Sequence, residues 1–141
     1  MRDLGGETFT ISPGDKALYH AAAVMSAGHV VALFDVALDT LRRCGLSETR
    51  ARKILLPLLR SVADNLARHA PARALTGSFA RADVETVRKH LRALARLEDP
   101  DALAVYRLLG ERSLKLAAGA DPALLEMIRR LLTGPPPRGG G

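Results

Sequence analysis

The chain has 141 residues, of which 48% are apolar and 4% aromatic, with no tryptophan. That is one domain's worth of chain with an ordinary core, and a packing palette of Ala and Leu excludes a β-sandwich in favour of close-packed helices. The net charge of +6 is carried largely by arginines scattered through helical segments, with few aromatics to stack bases, so nucleic-acid binding is not expected.

No apolar run is expected to reach the length of a membrane span, and the first residues, with Asp3 and Glu7, lack a signal peptide's apolar stretch. The single Cys44 excludes an internal disulfide and fits a reducing, cytoplasmic setting. Glu7 to Ile11 (ETFTI) alternates and is β-prone, which predicts one short strand after the Gly5-Gly6 turn. A lone strand is not stable. Residues 1–11 therefore read as a severed edge, or as a strand that pairs with a partner.

Ser12-Pro13-Gly14-Asp15 predicts a helix start, with Ser12 as N-cap and Asp15 completing a capping box. No breaker follows until about Cys44, where Gly45 is a natural cap. About thirty residues at 1.5 Å each give a helix of about 45 Å. Its apolar side chains (Leu18, Val24, Met25, Val31, Phe34 and others) wrap most of the circumference, and a helix apolar all round is buried on all sides. One layer of partners from this chain falls short, which predicts a homodimer.

A second helix is expected over Ser47 to His69, kinked at Pro57, then a loop from Pro71 to Ala82. A third starts near Asp83 and stops before Asp99. Asp99-Pro100 and Asp121-Pro122 each predict a cap followed by a helix, over Pro100–Ala118 and Pro122–Thr133. Residues 134–141 are Pro- and Gly-rich and read as a disordered tail. The expected architecture is all-α, a bundle of about five helices around one long central helix, spanning residues 12–133.

Two segments carry candidate chemistry. Lys16 and His20 lie four apart, so they share one helix face. A first-turn lysine is ordinarily a solvated surface group. In low-dielectric surroundings it becomes a general acid or a carbonyl binder instead. Tyr19 and His20 both need partners if buried. In the second segment Thr76-Gly77 breaks the chain just before Arg81 and Asp83, while Asn65 near the end of the second helix either is solvated or orients that loop. His20, His29, His69 and His90 are dispersed, without metal-ligand spacing, and no dinucleotide fingerprint is present. The two segments are expected to meet, with Lys16 at the rim of the cleft they form.

DKALYHAAAV, followed by NLARHAPARALTGSFARADVETVRKHLRAL, resembles the helical C-terminal domain of Rossmann-like NADP-dependent reductases, catalogued as domain of unknown function 2520. The likeness covers about Leu4 to Ala118. It implies the architecture of the 6-phosphogluconate dehydrogenase C-terminal-like superfamily, in which a Rossmann domain holds the cofactor and the helical domain dimerises and closes the substrate cleft. The strand at Glu7–Ile11 would then be the last of a missing Rossmann domain, met in cis or in trans. The resemblance implies Lys16 and His20 as catalytic, and Tyr19, Asn65, Thr76, Gly77, Arg81 and Asp83 as lining the cleft. It implies no cofactor in this chain, and NADP only where a Rossmann domain is supplied. The family's Ser-Asn pair falls on Ala27-Gly28, its loop Pro and Gly fall on Ser78 and Ala82, and Ala70 replaces a glycine. The alternative is a stand-alone, non-catalytic helical homodimer that kept the fold and lost the chemistry.

Overall fold

The computed structural model describes residues 10–97, 99–117 and 119–135. Every regular element among them is helical, so the chain is all-α, as its composition implies. Of the expected strand, Glu7 to Phe9 lies outside the described residues, and Thr10 and Ile11 join no strand. The expected disordered tail lies outside them from residue 136 onward. The chain forms two compact units, Met1–Asp35 and Val36–Gly141.

The first unit contains a 3-10 turn, Pro13–Asp15, helix α1, Lys16–Ser26, and the opening turns of α2, Gly28–Arg43. The single unbroken helix expected here is interrupted at Ala27, whose backbone turns to φ −119°, ψ −75°. The interruption sits beside Gly28, the weakest helix former between Lys16 and Arg43. It is local, because the Ala27 N–H still donates to Ala23 O at 3.1 Å and Val31 N–H to Ala27 O at 3.3 Å. The expected capping box does not form. The Asp15 N–H that the Ser12 hydroxyl would accept is already held by the Ser12 carbonyl, at 2.9 Å, and this closes the 3-10 turn instead.

No residue of α1 or α2 is buried. Leu18, Met25 and Val31 are 72%, 64% and 71% exposed. By length and composition alone, the helical run Pro13–Arg43 is long and apolar enough to cross a membrane. That corrects the expectation that no apolar run reaches a span. The charged residues sit at its ends, and Ala17 to Phe34 contains no Asp, Glu, Lys or Arg.

The second unit carries the rest of α2, then α3 (Glu48–Arg68), α4 (Pro71–Ala74), α5 (Gly77–Ala80), α6 (Val84–Ala95), α7 (Pro100–Leu116) and α8 (Pro122–Thr133). Their starts follow from capping chemistry. Ser47 accepts from Arg50 N–H at 3.4 Å, Asp99 from Asp101 and Ala102 N–H at 3.1 and 3.2 Å, and Asp121 from Ala123 N–H at 2.8 Å. Pro57 lies inside α3, which stays helical on both sides of it. The segment expected to be one loop holds two single turns of helix, α4 opened by Pro71 and α5 by Gly77. Gly77 takes φ +85°, a conformation that side-chain-bearing residues avoid.

Helices α6, α7 and α8 pack pairwise, with α5 against α6 and α7. Val87 and Leu91 on α6, Leu114 on α7, and Ile128 and Leu132 on α8 form the core, each pair four residues apart on one helix face. Arg43 ties the end of α2 to the turn between α6 and α7, donating to Leu97 O at 3.1 Å and standing 3.7 Å from Asp99.

Gly110 is the tightest point of this packing. A Cβ there would lie 2.9 Å from the Phe79 ring and 3.0 Å from Leu132 Cδ2. Gly110→Leu should therefore destabilise the unit by about 3 kcal/mol through overpacking, outweighing the gain of about 1 kcal/mol in helix propensity. Thermal unfolding measures this, and the near-ultraviolet signal of Phe79 and Tyr106 should change with it.

Candidate functional site

The residues singled out from sequence fall on both units, and each set stands on its own. In the first unit Lys16, Tyr19 and His20 occupy the first turns of α1, and all three are exposed. Lys16 and His20 are one helical turn apart, so the ammonium and imidazole project from the same face. No burial surrounds either group. The face offers a cation and an imidazole to whatever covers it.

In the second unit Asn65 is half-buried near the end of α3, its carbonyl accepting the His69 N–H that closes the helix, at 2.9 Å. Thr76 precedes α5 in extended conformation and is exposed, and its hydroxyl makes no cap bond. The turn after Gly77 is held by backbone alone. Arg81 N–H donates to Gly77 O at 3.2 Å, Ala82 N–H to Phe79 O at 3.1 Å, and Asp83 N–H to Ser78 O at 2.8 Å. Ala82 adopts φ +50° and is 3% exposed. A left-handed conformation costs an L-residue about 1–2 kcal/mol, a cost the packing around this buried turn has to offset.

Arg81 is exposed, and Asp83 caps α6. One Asp83 oxygen accepts the Thr86 N–H at 3.0 Å and the other the Thr86 hydroxyl at 2.7 Å. These bonds hold its carboxyl below the ordinary 3.8, with Arg81 and Lys89 adding to the effect. A carboxylate committed in this way positions the helix start. Because its folded pKa is depressed, its stabilisation is present above the ordinary aspartate value and is lost as pH falls through the folded one. The difference in Tm between wild type and Asp83→Ala should be constant near neutrality and shrink toward zero on acidification below about pH 4, as differential scanning fluorimetry across pH would show.

One pair escaped the sequence reading. His90 Nδ1 lies 2.8 Å from the Tyr106 hydroxyl, with the rings edge-on at 5.8 Å, and the ring of Phe79 on α5 stands 5.7 Å from that of Tyr106. Burial pushes the Tyr106 phenol up to about 12, so it keeps its proton. The two rings share one hydrogen bond whose direction follows the imidazole tautomer. The available signal was the scarcity of aromatics: a Tyr in a chain that packs with Ala and Leu needs a partner for its hydroxyl.

Open depressions of about 500 and 410 Å³ lie elsewhere, the first beside Asp39, Arg42, Arg43 and Ser47, the second along α3 from Glu48 to Arg60. Neither is lined by a candidate catalytic or cleft residue. Among the described residues no group of His, Cys, Asp and Glu is arranged to hold a metal ion. No curated protein and no solved structure matches the chain. A family model does, over residues 1–113, which include both polar segments, the left-handed turn at Ala82 and the His90–Tyr106 pair. The chain therefore belongs to the family described as domain of unknown function (DUF2520).

Proposed function

We propose that this chain is the dimerisation and substrate-cleft half of a cytoplasmic NAD(P)-dependent oxidoreductase, inactive until a dinucleotide-binding Rossmann domain is supplied in cis or in trans. The observation that carries the reading is the α1–α2 run. It presents Lys16 and His20 on one face and exposes Leu18, Met25 and Val31. An apolar helix in this state is half of an interface, and a cation and imidazole at its start are suited to a substrate oxygen held in a cleft. In this reading Lys16 donates to or binds that oxygen and His20 accompanies it. Tyr19 stands with them on α1, and Asn65, Thr76, Gly77, Arg81 and Asp83 are a separate substrate-binding set on the second unit. The nicotinamide, once bound by the Rossmann domain, supplies the hydride chemistry.

The test is reconstitution. The gene region beside Met1 is searched for a strand–GxGxxG–helix unit, and that unit is produced together with this chain. Lys16→Ala should abolish NADPH-dependent turnover of the pair while leaving the Tm of this chain within about 1 °C, because an exposed lysine contributes little to stability. Turnover unchanged by Lys16→Ala removes the residue from the mechanism. Micromolar NADPH binding by this chain alone, measured by calorimetry, overturns the division of labour.

A second reading, a non-catalytic helical homodimer, is favoured by the residues standing at the family's polar and loop positions, Ala27-Gly28, Ser78 and Ala82. It predicts the same dimer with no turnover in any reconstituted pair.

A further inference from the structure

We infer that the exposed apolar stripe of α3 is covered by the α1–α2 run of a second copy of this chain, so that each copy lays its α3 on the other's run. The inference rests on the dimer reading above and adds which faces meet. Ile54, Leu58, Val62 and Leu66 recur every fourth residue along α3 and are 45–60% exposed. A row of large aliphatics at that spacing is a ridge, and a ridge is what the groove of another helix accepts.

Area and charge select the occupant. The α3 stripe, together with Leu18, Met25, Val31 and Leu33 at 40–72% exposure, presents close to the roughly 800 Å² per partner that a standard interface buries. Neither face reaches that figure alone. Crossed in a two-fold dimer, α3 on the partner's run and the reverse, both faces of both copies are used.

Packing α3 on its own copy is disfavoured by charge. The helix carries Arg50, Arg52, Lys53, Arg60 and Arg68 against Glu48 and Asp64, and juxtaposed like charges oppose association. The α1–α2 run offers no such conflict. Arg42 is paired with Asp39 at 3.1 Å and Arg43 is turned toward Asp99. Lys16 and Asp35 then flank a stretch, Ala17 to Phe34, with no Asp, Glu, Lys or Arg. A basic-flanked ridge meets no like charge on that surface.

The experiment places the photo-crosslinker p-benzoylphenylalanine at Leu58 of the full chain, irradiates it at micromolar concentration, and maps the adduct by mass spectrometry. The expected product has the mass of two chains, and its crosslinked peptide falls within Ala17 to Leu41. An adduct of two α3 segments, an adduct within one chain, or no adduct from a species of two-chain mass each overturns the crossed arrangement. So does a lipid adduct that replaces the protein one when anionic vesicles are added. Light scattering separates the two readings. A two-chain mass with the wrong adduct defeats this inference alone, and a one-chain mass defeats the dimer with it.

Discussion

Leu91→Ala should lower the stability of the Val36–Gly141 unit by about 3 kcal/mol, among the largest losses any single truncation in this chain would cause. Leu91 is fully buried at the centre of α6, packed with Val87, Leu114, Ile128 and Leu132. Truncation removes the transfer free energy of the lost methyl groups and leaves a cavity that the surrounding helices close only in part. The core has few large members to share that loss, because much of the chain's aliphatic surface is on α1, α2 and α3 and faces outward. At fixed protein concentration the midpoint should fall by about 10–15 °C in a thermal scan. Ile54→Ala on the exposed stripe should move it far less in a chain diluted to monomer, and the two variants together separate core stability from association.

Val31→Arg, or Phe34→Asp, should convert a homodimer into a monomer or an aggregate. Val31 is 71% exposed within one chain, so a charge there costs the isolated chain little. Buried against a second copy without a counter-ion, the same charge costs several kcal/mol, equivalent to a thousandfold or more in dissociation constant. Light scattering and sedimentation at micromolar concentration read the change. A wild-type mass of one chain under those conditions removes the dimer altogether.

Much of the helical pattern was legible residue by residue. Asp99-Pro100 and Asp121-Pro122 start α7 and α8 because a carboxylate accepts the first free N–H groups while proline has none to satisfy. Ser47 starts α3 on the same principle. Asp83 was placed at the head of α6 from its position before an acidic first turn, and it stands there. These are local events, settled within four residues, and local sequence contains all of their physics.

The failures are of two kinds, local alternatives close in energy and pairings between residues distant in sequence. Ser12 and Asp15 spell a capping box, yet the backbone took the N–H first, since a 3-10 turn and a capping bond compete for one donor. The long helix read as unbroken because no single residue forbids it, while the dislocation at Ala27 is a small balance of hydrogen bonds. The His90–Tyr106 pair joins residues sixteen apart on two helices, and only the packing of α6 on α7 brings them to 2.8 Å. Phe79 reaches that pair because Gly110 has no side chain in its way. Sequence alone determined that this chain is helical, where most of its helices begin and which faces are apolar, since those follow from spacing and capping. Tertiary structure decided which of those faces are buried and which polar groups meet, because burial and side-chain pairing are properties of two elements at once.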